Sequence, residues 1–359
     1  MPTIGMPQIK IQFESMGLTA IQRSERGILL LLLKGETEEE QGSYKMNTLL
    51  DMSEKVPFSK KNAELIRLAF EARPRRVLVE IYGEKNPLTA ITKKLELVKF
   101  NYYAAPNAPK EDFDKIKSWH KRMTGEKDLT IKLVAFDYAA DDETVINWAT
   151  DRIVYDGVTY SGQEFTALVA SELAGLPLTR SFTYFSWPLV SDASLPYAED
   201  EDKAVNDGKL FLTYDGEIYK VARAVNSLTT YHARKGEDFS KIRIVEAMHL
   251  IKDDIRDTFE KFYVGKILNT YANKQQFIAL INRVYFVELR NTVLEDSDRN
   301  RVDIDVPACL RYAIKRGADV DNMTEQQIKE FNTGSNVFLD GYVSLLDAME
   351  DLYINFWNE

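Results

Sequence analysis

The residue types that most often do chemistry are sparse in this sequence and fall at no working spacing. The three histidines, His120, His232 and His249, lie far apart, and the single cysteine is Cys309. A zinc site needs a grouped set of such ligands, and none is offered here. There is no Gly-x-Ser-x-Gly elbow to expose a nucleophile and no Gly-Lys-Ser/Thr loop to cradle phosphate. Nor does a Gly-x-Gly-x-x-Gly follow any strand-like run.

Three near-misses need a physical answer. Asp296, Asp298 and Asn300 open like a calcium loop, but Arg301 stands where the sharp turn needs glycine, and Pro307 stands where the bidentate glutamate belongs. That stretch reads as a solvated charged loop. Ser118 and Lys121 fit Ser-x-x-Lys without its companion motifs. Asp137, Asp141, Asp142 and Glu143 are dense enough to hold a divalent ion, although such density more often marks a turn and a helix start. No catalytic residue, metal or cofactor is therefore expected. The rival is an α/β hydrolase-like enzyme whose catalytic residues are scattered beyond motif recognition.

The chain that would position any such group has 359 residues, enough for two domains with extensions. Hydrophobic residues make up 45% and charged residues 28%, the balance of a globular protein. A net charge of −10 argues against direct binding to nucleic acid. The apolar run at 28–33 is far too short to cross a bilayer, and the N-terminus lacks a signal-peptide layout, so no direct membrane binding is expected. One unpaired cysteine suits synthesis in a reducing cytosol and reads as a small buried side chain.

Strand-like runs at 28–33, 77–82 and 129–136 alternate with helix-like runs at 60–72, 87–98, 110–123 and 164–174. This alternation predicts an α/β layer domain with a largely parallel sheet. After an acidic stretch at 199–202, Asp215-Gly216 sits between two strand-like runs and predicts a hairpin. Two amphipathic helices follow. Ile244, Met248, Ile251, Ile255, Phe259 and Phe262 stripe the first, and Phe277, Ile281, Val284 and Val287 the second. The second domain thus reads as α+β.

Both ends read as amphipathic strands. Ile9, Ile11 and Phe13 share one face near the start, and Leu352, Ile354 and Phe356 do so near the end. Each either pairs within its own subunit or completes a neighbour's sheet. Gly17 and the stretch 345–351 are the candidate hinges.

Several segments resemble contractile phage tail sheath proteins. They are residues 215–230 (DGEIYKVARAVNSLTT), 239–248 (FSKIRIVEAM) with 253–256 (DDIR), 174–181 (AGLPLTRS), 336–341 (NVFLDG), 346–352 (LDAMEDL) and 21–27 (IQRSERG). Their number, order and spacing carry the likeness, which spans the chain. It is nearest the compact sheaths of Gram-positive phages, defective prophages and R-type bacteriocins.

The resemblance implies an N-terminal arm at 1–22, a subtilisin-like α/β sheath domain at 23–205, an α+β C-terminal sheath domain at 206–344 and a C-terminal arm at 345–359. It also implies stacked hexameric rings around an inner tail tube, arms exchanged between subunits, and partners at the baseplate and the tail terminator. Assembly in the host cytoplasm into a virion tail or tail-like particle follows from the same likeness. Protease activity is not implied, because residues 23–205 hold only one histidine, His120. In that family the C-terminal domain lies nearest the tube. Arg311 and Lys315, four apart and on one face if helical, with Arg316 beside them, are the tube-facing candidates. Otherwise Lys315 and Arg316 simply complement a helix C-terminus before Gly317.

Overall fold

The computed structural model describes residues 26–52 and 57–358. Ile9, Ile11, Phe13 and Gly17 lie outside them. In chain order the strands of the larger unit are β1 (Ile28–Lys34), β2 (Gly42–Met46), β3 (Arg76–Tyr82), β4 (Tyr102–Ala104), β5 (Lys132–Phe136), β6 (Val145–Trp148), β7 (Arg152–Tyr155), β8 (Val158–Ser161), β9 (Val190–Ala193), β10 (Lys209–Leu210), β11 (Leu212–Tyr214) and β12 (Tyr219–Val221). Its helices are α1 (Lys60–Glu71), α2 (Leu88–Leu95), α3 (Lys110–Gly125), α4 (Gly162–Gly175) and α5 (Glu201–Asn206), followed by the long α6 (Ile242–Phe262).

Seven strands form one sheet in the order β10-β6-β5-β4-β1-β3-β2, all parallel except β2 at the edge. The run at 28–33 is apolar throughout because β1 is covered on both faces. Leu29, Leu31 and Leu33 pack into one core with Leu65, Ile66 and Phe165 of α1 and α4. Ile28, Leu30 and Leu32 pack into the other, with Ile91, Ile116 and Trp119 of α2 and α3. Local chemistry starts these helices where the sequence changes texture. The Ser59 side chain accepts from Asn62 N at the head of α1, and Ser161 and Glu164 form a capping box on α4.

The hairpin falls where Asp215-Gly216 predicts it. Tyr214 pairs with Tyr219, and Asp215 Oδ1 accepts from the backbone of Glu217 and Ile218 at 3.0 Å each. Gly216 has φ +100°, which a side chain would strain.

The chain divides into two compact units at Asp253/Asp254, inside α6. Residues 206–253 and 345–358 belong with the larger unit. The cause is strand pairing: β10 joins the main sheet beside β6, and Leu212 and Val221 of the hairpin enter its core.

The smaller unit, residues 254–344, holds α7 (Tyr271–Leu280), a π-helical turn (Ile281–Tyr285), α8 (Phe286–Leu289), β13 (Arg301–Ile304), α9 (Val306–Lys315), α10 (Glu325–Glu330) and β14 (Leu339–Tyr342). Cys309 is buried with Ile278, Ile304 and Ile328. The two helical stripes deviate from expectation. Of the α6 stripe only Ile244 is buried; Met248, Ile251, Ile255, Phe259 and Phe262 are half-buried. The buried line is Leu250, Asp254 and Thr258, with Asp254 accepting from the Tyr285 hydroxyl at 2.8 Å. On the next helix the π turn adds a residue and rotates the face, so Tyr285, Phe286 and Leu289 are buried while Val287 is exposed.

Candidate assembly surfaces

The chemical near-misses resolve into structural contacts. Asp141 Oδ1 accepts from the Thr229 and Thr230 backbone at 2.8 Å each, and its hydrogen bonds to Thr230 and Thr229 hold its carboxyl down at about 2. Asp142 accepts from the Thr144 backbone and hydroxyl, and both Glu143 oxygens take Lys235 Nζ at 2.7 Å. In the calcium-like loop, Arg290 reaches Asp296 at 3.0 Å and Asp298 at 3.1 Å, so a guanidinium holds the carboxylates a cation would need. No group of three potential metal ligands stands together among the described residues.

His120 Nε2 lies 2.8 Å from Thr144 Oγ1, which donates to Asp142 at 2.6 Å. The order looks like a catalytic relay, but the hydroxyl already donates to the carboxylate, and His120 and Thr144 are both buried. Burial pulls the His120 pKa down to about 4, against the opposing pull of Asp142. His232 is exposed on a loop, and His249 is half-buried with Nδ1 3.4 Å from the buried Lys132 Nζ.

Open parallel sheets usually bind ligands where strand order reverses, here between the C-terminal ends of β1 and β4. That crevice is filled by the protein's own groups. Asn107 Oδ1 accepts from Lys34 N at 2.8 Å, Asn107 Nδ2 donates to Asn62 Oδ1 at 2.8 Å, and Lys34 Nζ pairs with Asp112 at 3.1 Å. A pocket of about 190 Å³ remains beside Ala105, Phe136 and Gln163, smaller than the roughly 300 Å³ at which ligand sites begin.

Surfaces suited to assembly are better formed. Residues 352–357 are extended without a strand partner among the described residues. Leu352, Ile354 and Phe356 are 82%, 57% and 90% exposed. A strand needs a partner for its backbone groups, and none is supplied among the described residues. The preceding candidate hinge is clamped instead. Lys241 Nζ meets Asp347 at 2.6 Å, Ser181 and Thr183 hydroxyls bond Glu350 at 2.8 and 2.7 Å, and Arg223 pairs with Asp351. The hydrogen bond to Asp347 raises the Lys241 pKa. Sequence reasoning missed this clamp, although the acids at 347, 350 and 351 were its visible half.

β14 has β13 on one side and no strand on the other among the described residues. The outer edge of β13 is closed, because Asn282 bonds both Val302 N and Val302 O at 2.8 Å. Arg311 and Lys315 are exposed on α9, flanking the half-exposed Ile314. Arg316 lies just past the helix, turned back onto Tyr312 with its Nε 3.1 Å from the hydroxyl, so it does not share their face freely.

A model of the phage tail sheath C-terminal domain matches residues 234–357. A tail sheath protein of Clostridium phage phiCD119 is 34% identical over 360 residues, covering 98% of each chain. Among solved structures, a sheath tail protein of Desulfitobacterium hafniense superposes with TM-score 0.67 at 17% identity, over 84% of this chain and 94% of that one. The helical sheath of the anti-feeding prophage in its contracted state superposes with TM-score 0.71 at 13% identity, over 99% of this chain and all of that one. These relatives are structural proteins, and the hydrolase reading falls away. The chain belongs to the tail sheath protein family, the structural subunits of contractile phage tails and tail-like particles.

Proposed function

We propose that this chain polymerises as stacked hexameric rings around an inner tail tube and contracts to drive the tube through a target envelope. The observation that carries the proposal is a matched pair of elements unfinished among the described residues: an apolar tail at 352–357 without a strand partner and a β14 edge without a strand neighbour. Exposed edges and amphipathic strands invite pairing between copies. A tail on one subunit that fills an edge on the next makes a head-to-tail contact, and such contacts close into rings or run on as helices. Residues 23–205 act as the subtilisin-like sheath domain, 206–344 as the C-terminal sheath domain whose first part, 206–253, lies in the larger compact unit, and both terminal segments as arms.

Work without a bound nucleotide requires free energy stored at assembly. A baseplate trigger then tips one packing of rigid subunits into another of lower free energy, while exchanged arms keep the mesh connected. Arg311 and Lys315 face the tube, where exposed ion pairs of about 0–1 kcal/mol each hold register without locking it. Arg316, already on Tyr312, contributes less. The baseplate and the tail terminator bound the sheath at its two ends.

Deleting the residues before Gly17 tests the arms directly. The truncated subunit is expected to fold and stay dispersed while the full chain forms tubes, read by circular dichroism and electron microscopy. Normal tubes from the truncated chain would refute arm exchange, and global unfolding would show that the segment pairs within its own subunit.

A further inference from the structure

Four of the segments that carry the family resemblance, 174–181, 215–230, 239–248 and 346–352, lie far apart in the chain. The fold brings side chains from all four to one place, the root of the C-terminal tail. The Glu350 carboxylate accepts from the Ser181 hydroxyl at 2.8 Å and from the Thr183 hydroxyl at 2.7 Å. Thr183 Oγ1 in turn accepts from Ala224 N at 2.9 Å, which ties that contact to the backbone beside Arg223. Arg223 pairs with Asp351 and reaches Glu350 at 3.7 Å, and Lys241 pairs with Asp347 at 2.6 Å. Arg243 is a further cation here: burial lowers its pKa, and Asp347 and Glu350 oppose that fall. The acids of the tail's root thus meet cations and hydroxyls from separate stretches of the larger unit.

This contact is built unlike the elements around it. Among the described residues, 346–351 make no backbone hydrogen bond to another segment and belong to no helix or strand. Side chains hold them, and the outer pair is open to water, with Arg223 38% and Asp351 53% exposed at the side chain. Ion pairs of that exposure are weak singly and are screened by salt. The chain immediately upstream is held differently. Ser344 N donates to Asn300 Oδ1 at 2.6 Å, Ser344 O accepts from Glu295 N at 2.9 Å, and the Ser344 hydroxyl donates to Glu295 at 2.9 Å. Those bonds lie within the smaller unit. The chain therefore passes from a backbone anchorage in one unit to an ionic anchorage in the other.

We propose that residues 346–351 form a releasable ionic latch, which assigns the tail to the larger unit when closed and to the smaller unit when open. Arg223, Lys241, Ser181 and Thr183 are its positioning residues. Closed, the tail leaves the larger unit at Leu352. Open, its anchorage moves back to Ser344, and it gains up to about 20 Å of extended chain from 346–351. The latch is a property of one subunit; its use in the sheath rests on the arm-exchange reading above. When packed subunits trade one arrangement for another, slack of this length lets an exchanged arm stay connected. Exposed side-chain pairs part before a packed core does, so the latch opens while each unit stays folded.

The test uses the dispersed full-length chain and chymotrypsin, with the released tail fragments identified by mass. Tyr353 and Phe356 are 92% and 90% exposed, so cleavage after them is the internal standard for cleavage after Leu346. Where opening is fast, the cleavage rate tracks the open population. Cleavage after Leu346 is expected to be about tenfold slower than the standard at low salt. Relative to the standard it should rise about threefold or more in about 1 M salt, where the screening length falls to roughly 3 Å. Lys241→Glu and Arg223→Glu should each give the same rise at low salt, with the melting temperature of the subunit unchanged. Adding Asp347→Lys to the first and Asp351→Arg to the second should restore protection.

Normal tubes from a chain ending at 351 would refute arm exchange and not the latch, which is read in dispersed subunits. The latch fails on other results. Cleavage after Leu346 as fast as the standard in the wild type would overturn it, as would protection that neither salt nor charge reversal changes. So would pair swaps that restore nothing beyond the sum of the single variants. Should a reversal lower the melting temperature, Asp347→Asn and Glu350→Gln take its place, and unchanged protection in both would overturn the proposal equally.

Discussion

Replacing Phe356 with alanine separates stability of the subunit from stability of the assembly. The side chain is 90% exposed in the subunit, so its loss there removes little buried area. Exposed substitutions of this kind stay within about 0.5 kcal/mol, and thermal unfolding of the dispersed subunit should not move measurably. On the proposed arm exchange the same ring would be buried against a neighbour, where a large apolar side chain is worth about 1.5–3 kcal/mol. At about 1.4 kcal/mol per tenfold, the association constant of each contact falls roughly 10- to 100-fold. The critical concentration for tube formation, followed by light scattering and confirmed by electron microscopy, should rise accordingly. Phe356→Leu should recover most of the loss. A critical concentration within twofold of wild type would refute the reasoning, as would a fall of several degrees in subunit melting temperature.

The tube face, buried histidine and acidic loop give three more expectations. Arg311→Glu with Lys315→Glu should yield sheaths that assemble in contracted form but hold few extended, tube-filled particles; abundant extended particles at physiological salt would remove these residues from the interface. His120 has a folded pKa near 4 against 6.5 unfolded, so the unfolded chain takes up its proton first as pH falls. Stability should therefore drop from pH 6.5 down to about 4, by about 3 kcal/mol in denaturant titrations, with no further loss from this group below that. A slope unchanged in His120→Gln would assign the effect elsewhere. Contraction should proceed equally in chelator and without ATP, because Asp141, Asp142 and Glu143 already bind Thr229, Thr144 and Lys235; a divalent-ion requirement traced to this subunit would reopen that cluster.

Local patterns were legible from the sequence because they depend on neighbours along the chain. The apolar run at 28–33 announced a strand, the helix-like runs at 60–72 and 164–174 announced helices, and Asp215-Gly216 marked the hairpin. The family, too, was readable, since several ordered segments carry it independently of any one contact. What depended on distant partners was not. Residues 206–253 look like a new domain in sequence, yet β10 adds to β6 across some sixty residues of chain. Val287 keeps a helical spacing that the π turn at Ile281–Tyr285 shifts out of the core. Arg223 and Lys241 meet Asp351 and Asp347 only because the chain returns from the smaller unit at Leu345. The edge of β14 that has no strand neighbour among the described residues is a tertiary fact of the same kind: periodicity shows that a residue is extended, but only the packed structure shows which edge a strand lies on.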